Sequence, residues 1–355
     1  MPASAASCRV CLTGGVTVLP VKTERLALRV MRVDDAPALA AYRGLPAIAR
    51  YQTWPMPFTV DDARRMLKDQ AGLDDLFPGG WVQIAIEHAG EVVGDLAVNL
   101  MANGCVAELG FTLAPAHHGK GYASEAAGAM VDALFSHTDV HRIAASIEPA
   151  NVASMRVLEH LGFREEGTSR CAERVRGEWV DDMRFALLRD DRIDWLARLT
   201  SCQTVELVEI TPDNLSATAA LATHRHQQRF VAPMARSFAQ ALVPSTHNDH
   251  RVVPWMRAVR ADDEIVGFMM VSAPSPGEPV PYLWRFLIDR CHQRRGVGKR
   301  AIRLLADEMR AEGHHAILVS WEEGAGGPRP FYEGLGFVPT GVIVDGEETE
   351  ACLVL

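Results

Sequence analysis

The chain has 355 residues, 36 Lys and Arg against 45 Asp and Glu, and 48% apolar residues, a balance that supports folded cores and argues against extended disorder. Neither half carries the basic excess that nucleic-acid binding requires, and no apolar run approaches the roughly 18–20 residues of a membrane span, so nucleic acid and membrane are set aside as partners. Seven scattered cysteines suit a reducing compartment, and the first fifteen residues lack the apolar stretch of a secretory signal, so a cytoplasmic protein is expected. Cys8 and Cys11 form a CxxC, but no second pair follows at metal spacing, and no metal is expected.

In chain order, residues 1–20 form an Ala/Ser/Gly-rich extension, and a first copy of a domain occupies 21–190. It opens with a strand at Arg25 to Arg29 and a helix at Asp34-Asp35-Ala36-Pro37, with an Asp as its N-cap. Strands at Trp81 to Glu87, Val92 to Met101 and Ala107 to Leu113 read as an antiparallel meander. A loop holding Gly119 and Gly121 then opens a helix whose Ala123, Ala127, Met130, Val131 and Leu134 share one face, and a strand follows at Arg142 to Ile147. Residues 191–203 connect the copies. Ile193, Trp195, Leu196 and Leu199 make this connection read as a packed helix. The second copy, 204–355, repeats the order: strand Val205 to Val208, a helix capped at Thr211, strands Val252 to Arg260, Glu264 to Ser272 and Tyr282 to Ile288, a glycine loop, a helix from Val297, and strand Ala316 to Trp321.

Gly94 aligns with Gly267, Gly119-Lys120-Gly121 with Gly296-Val297-Gly298, and Leu161-Gly162-Phe163 with Leu335-Gly336-Phe337, at offsets of 173, 177 and 174 residues. A period this long means tandem domains. The strand–helix–strand unit adds a parallel pair to each meander. The expected fold is therefore α/β (α+β), two tandem domains, each a mixed, mostly antiparallel sheet with helices on both faces.

A glycine loop that enters a helix aims several unsatisfied backbone N–H groups at one point, which favours a pyrophosphate. In copy two the loop is Gln293-Arg294-Arg295-Gly296-Val297-Gly298-Lys299-Arg300, and its four cations add charge complementarity. Neither loop is a GxxxxGK[ST] phosphate loop, and the GxGxxA at Gly296 sits too deep in its domain for a dinucleotide fingerprint.

These loops and the following Leu-Gly-Phe resemble the GNAT acetyltransferases, which use acetyl-CoA. The family's Q/R-x-x-G-x-G/A pattern is matched by Gln293, Gly296 and Gly298, and in part by Gly119 and Gly121, with Ala116 at the polar first position. The resemblance implies a splayed parallel pair that admits the pantetheine arm beside Phe111 to Leu113 and Leu287 to Asp289. By the same resemblance His118, Gly119, Lys120, Gly121, Ala123 and Asn151 in copy one contact the cofactor. In copy two Leu287, Ile288 and the run from Gln293 through Arg294, Arg295, Gly296, Val297 and Gly298 to Lys299 do so.

Copy one is similar to enzymes that acetylate ribosomal-protein N-termini, through Ala107 to Phe111, Gly119 to Ala126 and Asn151 to Ser154. This implies Glu108 as base and Ser154 as proton donor. Copy two is similar to bacterial spermine, spermidine and diamine acetyltransferases, through Phe230 to Pro233, Leu283 to Asp289 and Phe331 to Phe337. There Tyr332 is the implied donor, and the position matching Asn151 is Ala325. Glu322 and Glu323 are candidate bases, and with Glu333, Asp345, Glu347, Glu348 and Glu350 they offer an acidic surface to a polyamine; Trp54, Phe230, Trp284 and Glu322 are candidate acceptor contacts. The expected activity is transfer of acetyl to a primary amine on a peptide or small molecule, by a monomer or homodimer. Non-catalytic acyl-CoA-binding modules and an aminoglycoside-type acetyltransferase are the alternatives.

Overall fold

The computed structural model describes residues 17–198, 202–244, 246–247, 250–274, 279–324 and 326–355. Cys8, Cys11, most of the expected 1–20 extension, Leu199 and Ala325 lie outside the described residues. The chain divides into two compact units, Met1–Ile193 and Asp194–Leu355.

In the first unit the strands are β1 (Val21–Lys22), β2 (Ala27–Val30), β3 (Gly80–His88), β4 (Glu91–Leu100), β5 (Val106–Leu113), β6 (Arg142–Ile147), β7 (Arg164–Val175) and β8 (Glu178–Leu188), and its helices are α1 (Ala36–Arg43), α2 (Pro46–Ala49), α3 (Val60–Lys68), α4 (Tyr122–His137) and α5 (Val152–His160). Helix α6 (Arg189–Arg198) carries the chain into the second unit. That unit holds β9 (Val205–Val208), α7 (Leu215–Ala219), α8 (Met234–Leu242), the hairpin β10 (Thr246–His247) and β11 (His250–Arg251), then β12 (Val253–Ala261), β13 (Glu264–Ala273), β14 (Tyr282–Ile288), α9 (Val297–Ala311), β15 (Ala316–Glu322), α10 (Arg329–Glu333), β16 (Val338–Val344) and β17 (Glu348–Val354).

The first sheet runs β1-β2-β3-β4-β5-β6-β8-β7 and the second β16-β17-β15-β14-β13-β12-β9. Alternation within each strand sends side chains to two cores. Val82, Ile84 and Ile86 meet Met130, Val131 and Leu134 of α4 on one face, while Ala85 joins Leu39 of α1 and Leu67 of α3 on the other. The second sheet does the same, with Met269 and Val271 against Ala301 and Leu305 of α9, and Phe268 and Met270 against Met234 of α8.

Each sheet has one parallel pair, and each pair separates early. β5 meets β6 only at Val106, Ala107 and Glu108, and β14 meets β15 only at Tyr282 and Leu283. Among the described residues, the remainder of β5 and β14 has no partner strand on that side.

Three local expectations are corrected. Of the expected caps, Asp35 does stand at the N-cap of α1, but its carboxylate accepts from the Arg32 N–H at 2.7 Å and not from the helix; at α7 the N-cap is Asn214, not Thr211, and it accepts from the Thr211 N–H at 2.9 Å. In α6 the apolar positions Ile193 and Leu196 are exposed, while Trp195 is half-buried with its ring 6.5 Å from that of His224. The first turn of α6 docks through Arg192, whose guanidinium reaches Asp132 and the Leu161 carbonyl.

Candidate active site

The two glycine loops are built alike, but in a register that their glycines hide. In the second unit the Gln293 amide donates to the Ile288 carbonyl at 3.0 Å, Arg294 (φ 62°) and Gly296 (φ 77°) are left-handed, and α9 begins at the next residue. In the first, the His118 ring is 3.0 Å from the Leu113 carbonyl, Gly119 (φ 73°) and Gly121 (φ 81°) are left-handed, and α4 follows. Leu113 and Ile288, His118 and Gln293, Gly119 and Arg294, Gly121 and Gly296, and Ala123 and Gly298 thus share one offset of 175 residues. This corrects the pairing of Gly119 with Gly296. The first loop's polar position is His118, not Ala116, and its pattern reads His118-x-x-Gly121-x-Ala123. Backbone conformation sets the register, and at one left-handed position the second unit carries Arg294 where the first carries glycine.

The parted strands expose main-chain groups beside these loops. The Ala114 N–H bonds the Val93 carbonyl and the Asp289 N–H the Val266 carbonyl, so by alternation the groups of Phe111, Leu113, Phe286 and Ile288 point into the open seam. Leu287, expected at the cofactor, has its backbone turned the other way: a Cβ on Gly267 of β13 would lie 2.7 Å from its carbonyl oxygen. Gly94 meets the Thr112 carbonyl in the same way, at 2.4 Å. Glycine is required at both places because the neighbouring carbonyl fills the Cβ position.

In the second unit the seam opens into a cavity of about 1220 Å³. Gln293, Arg294, Gly296, Gly298 and Lys299 border it at the start of α9, Phe286 and Ile288 line its length, and Tyr332, Phe230 and Trp284 lie along its walls. The Tyr332 ring stacks on Trp321, with centroids 5.7 Å apart, and is set edge-on by Phe331 and Phe337. Burial pushes its phenol above the ordinary value, and Tyr282 adds to the shift.

Three residues expected here take other roles. The Arg295 guanidinium turns to Asp262 and the His292 ring, and the Val297 side chain is buried in the core. Glu322 ends β15 outside the cavity, while Glu348, opposite it on β17, lines the wall with Glu350. Glu323 accepts from the Trp321 indole, from Thr349 and from Arg329, and the Trp321 hydrogen bond is foremost in holding its carboxyl below the usual range. That makes it a poor base. Arg285, Arg236 and Gln240 also line the cavity and were not anticipated. No sequence signal marked them, because they come from different elements: Arg236 and Gln240 from α8, and Arg285 from β14 beside a register shift in which Arg285 pairs with Met270 but Leu283 with Val271, leaving Trp284 as an extra residue.

In the first unit Glu108 is the last residue of β5 to pair with β6, and Asn99 donates to its carboxylate at 3.3 Å. Asn151 caps α5 by accepting from the Ser154 N–H at 3.2 Å, so its carboxamide oxygen is engaged in the helix start. Ser154 is the third residue of that helix. Trp54 rests 4.5 Å from the Arg43 guanidinium, which is itself bound to the buried Asp95 together with the Tyr42 hydroxyl. A clamp fixes the start of α4: Glu125 accepts from Thr23 at 2.5 Å and from the Arg25 side chain at 2.6 Å, and Arg25 also reaches the Lys120 carbonyl.

A family model described as an acetyltransferase (GNAT) domain matches residues 25–164, and a second, the acetyltransferase (GNAT) family, matches 219–337. An uncharacterized N-acetyltransferase, p20, of Bacillus licheniformis is 36% identical over 47% of the chain and 94% of its own length. The chain belongs to the GNAT acetyltransferase family. A second relative, the uncharacterized N-acetyltransferase YnaD of Bacillus subtilis, is 27% identical over 48% of this GNAT chain and 98% of its own. Among solved structures, Mycobacterium smegmatis RimJ in complex with CoA-disulfide is 28% identical and covers 47% of this chain and 83% of its own, with a TM-score of 0.42. By the two family models and these relatives, the chain is an acyltransferase with two GNAT domains. Among the described residues no helix is long and apolar enough to cross a membrane.

Proposed function

We propose that the protein moves acetyl from acetyl-CoA to primary amines by direct attack, with a peptide N-terminus as acceptor in the first unit and a small amine in the second. The observation that carries this is the continuous cavity of the second unit, which joins a helix N-terminus, an unpaired strand edge and a buried phenol. These fit the parts of a coenzyme. Arg294, Lys299 and the N–H groups after Gly296 suit its diphosphate, and the free edge at Phe286 and Ile288 suits an amide-bearing arm. Bound there, the thioester supplies the activated acetyl carbon. Tyr332 supplies the proton that the departing sulfur takes, and its raised pKa keeps the hydroxyl protonated at neutral pH. In the first unit His118, Gly119, Lys120, Gly121 and Ala123 form the corresponding cradle, Glu108 accepts the amine proton, and Ser154 donates.

The test is mass spectrometry of products from acetyl-CoA with polyamines, amino-terminal peptides and aminoglycosides, for wild type, Ser154→Ala and Tyr332→Phe. An acetyl mass gain on one acceptor class, lost in one variant only, is expected. Coenzyme binding with no acceptor modified would instead favour non-catalytic modules.

A further inference from the structure

The wall of the second unit's cavity carries both signs of charge on one sheet face. Arg285 projects from β14 toward α8, where its guanidinium donates to the Gln240 carboxamide at 3.0 Å and to the Trp284 carbonyl at 2.7 Å. It spends two of five donors on neutral oxygens. Its Nε is buried without a partner, and no carboxylate pairs with the group among the described residues. Burial lowers its pKa; Glu348 opposes that shift and Arg236, a second guanidinium on the same wall, adds to it. Arg285, half-desolvated and without a carboxylate partner, and the exposed Arg236 on α8 together offer an anion two guanidinium groups on one cavity wall. Opposite, Glu348 and Glu350 lie two residues apart on β17, facing the same side, and Glu348 accepts a hydrogen bond from Ser320.

We infer that the acceptor of the second unit carries a carboxylate as well as its amine, as an amino acid or a short peptide does, with Arg285 and Arg236 binding the carboxylate and Glu348 drawing the ammonium. A polyamine meets only half of this wall. The inference rests on the acetyl-transfer reading for the amine, but the carboxylate site is tested by binding alone.

The experiment uses the full chain with coenzyme A and a set of L-amino acids spanning acidic, basic, aliphatic and aromatic side chains, each with its α-amide and its decarboxylated amine, and spermidine as a dication. Thermal shift reads binding and mass spectrometry reads transfer. At least one free amino acid should stabilise the protein and be acetylated with a kcat/KM at least ten-fold above its amide and amine. Arg285→Gln should erase that preference through KM, with the KM for acetyl-CoA little changed. Arg285→Lys, which keeps charge and volume, should keep part of it and guards against a misfolded variant. A preference for spermidine or for the decarboxylated amines, a preference that survives both substitutions, or no binding by any free amino acid would overturn the inference. Carboxylate-dependent binding without acetylation would sink the transfer reading and leave the site standing.

Discussion

Single side chains decide whether these sheets can bring their parts together. Arg43 and Asp95 are both buried and joined at 2.5 Å, and Arg43 supports the Trp54 ring. Removing one member leaves the other charge uncompensated, so Asp95→Ala should destabilise the first unit by about 3–5 kcal/mol in denaturant unfolding. Gly267→Ala should also destabilise, by about 1–3 kcal/mol, since the added methyl meets the Leu287 carbonyl and the strands must part. Tyr332→Phe removes the phenol and keeps the ring stack. It should lower kcat in the second unit about 10²-fold, with coenzyme affinity measured by calorimetry nearly unchanged.

At the level of elements, the first turn of α4 and the end of the glycine loop are tied to the segment between β1 and β2, through Glu125 with Thr23 and Arg25 and through the Lys120 carbonyl with Arg25. Glu125 is the pin in the first unit: burial tends to raise its pKa, but hydrogen bonds from Thr23 and Arg25 prevail and hold it below the usual 4.5. A carboxyl shifted this way adds stability above its unfolded pKa and loses it as pH falls through the folded value. The Tm gap between wild type and Glu125→Gln should therefore be full at pH 7 and close below about pH 4.5. A gap that stayed constant with pH would mean that packing, not charge, pins the helix. Most elements were legible in the sequence: β6, β9 and β14 lie where alternation and turn residues put them, and the apolar face of α4 was read correctly. The loop register was not, because matching glycine to glycine ignores that Arg294 occupies a left-handed position. Nor was Arg285, which no motif marked, whereas Glu348 and Glu350 were legible as part of an acidic cluster near the C-terminus. Of the described apolar run in α6, Trp195 packs and Ile193 and Leu196 do not, because position along a helix does not say which side finds a neighbour.

For the whole molecule, the two GNAT domains should behave as separable enzymes on one chain. Calorimetric titration should find two coenzyme sites. Gly298→Glu, which drives a side chain into Phe331, should abolish one, and Ala123→Glu, at the matching position, should abolish the other. Loss of both sites from either change would mean that the units do not bind independently. The left-handed Arg294 has its own meaning at this scale. Its counterpart Gly119 adopts that backbone without cost, while an arginine there gives up about 1–2 kcal/mol. A stability screen would choose glycine at 294, and the price would be a cation at the mouth of the cavity. Within one polypeptide, the two copies hold opposite settlements between durability and grip, so a thermostabilised version of this protein is expected to lose affinity first in its second half.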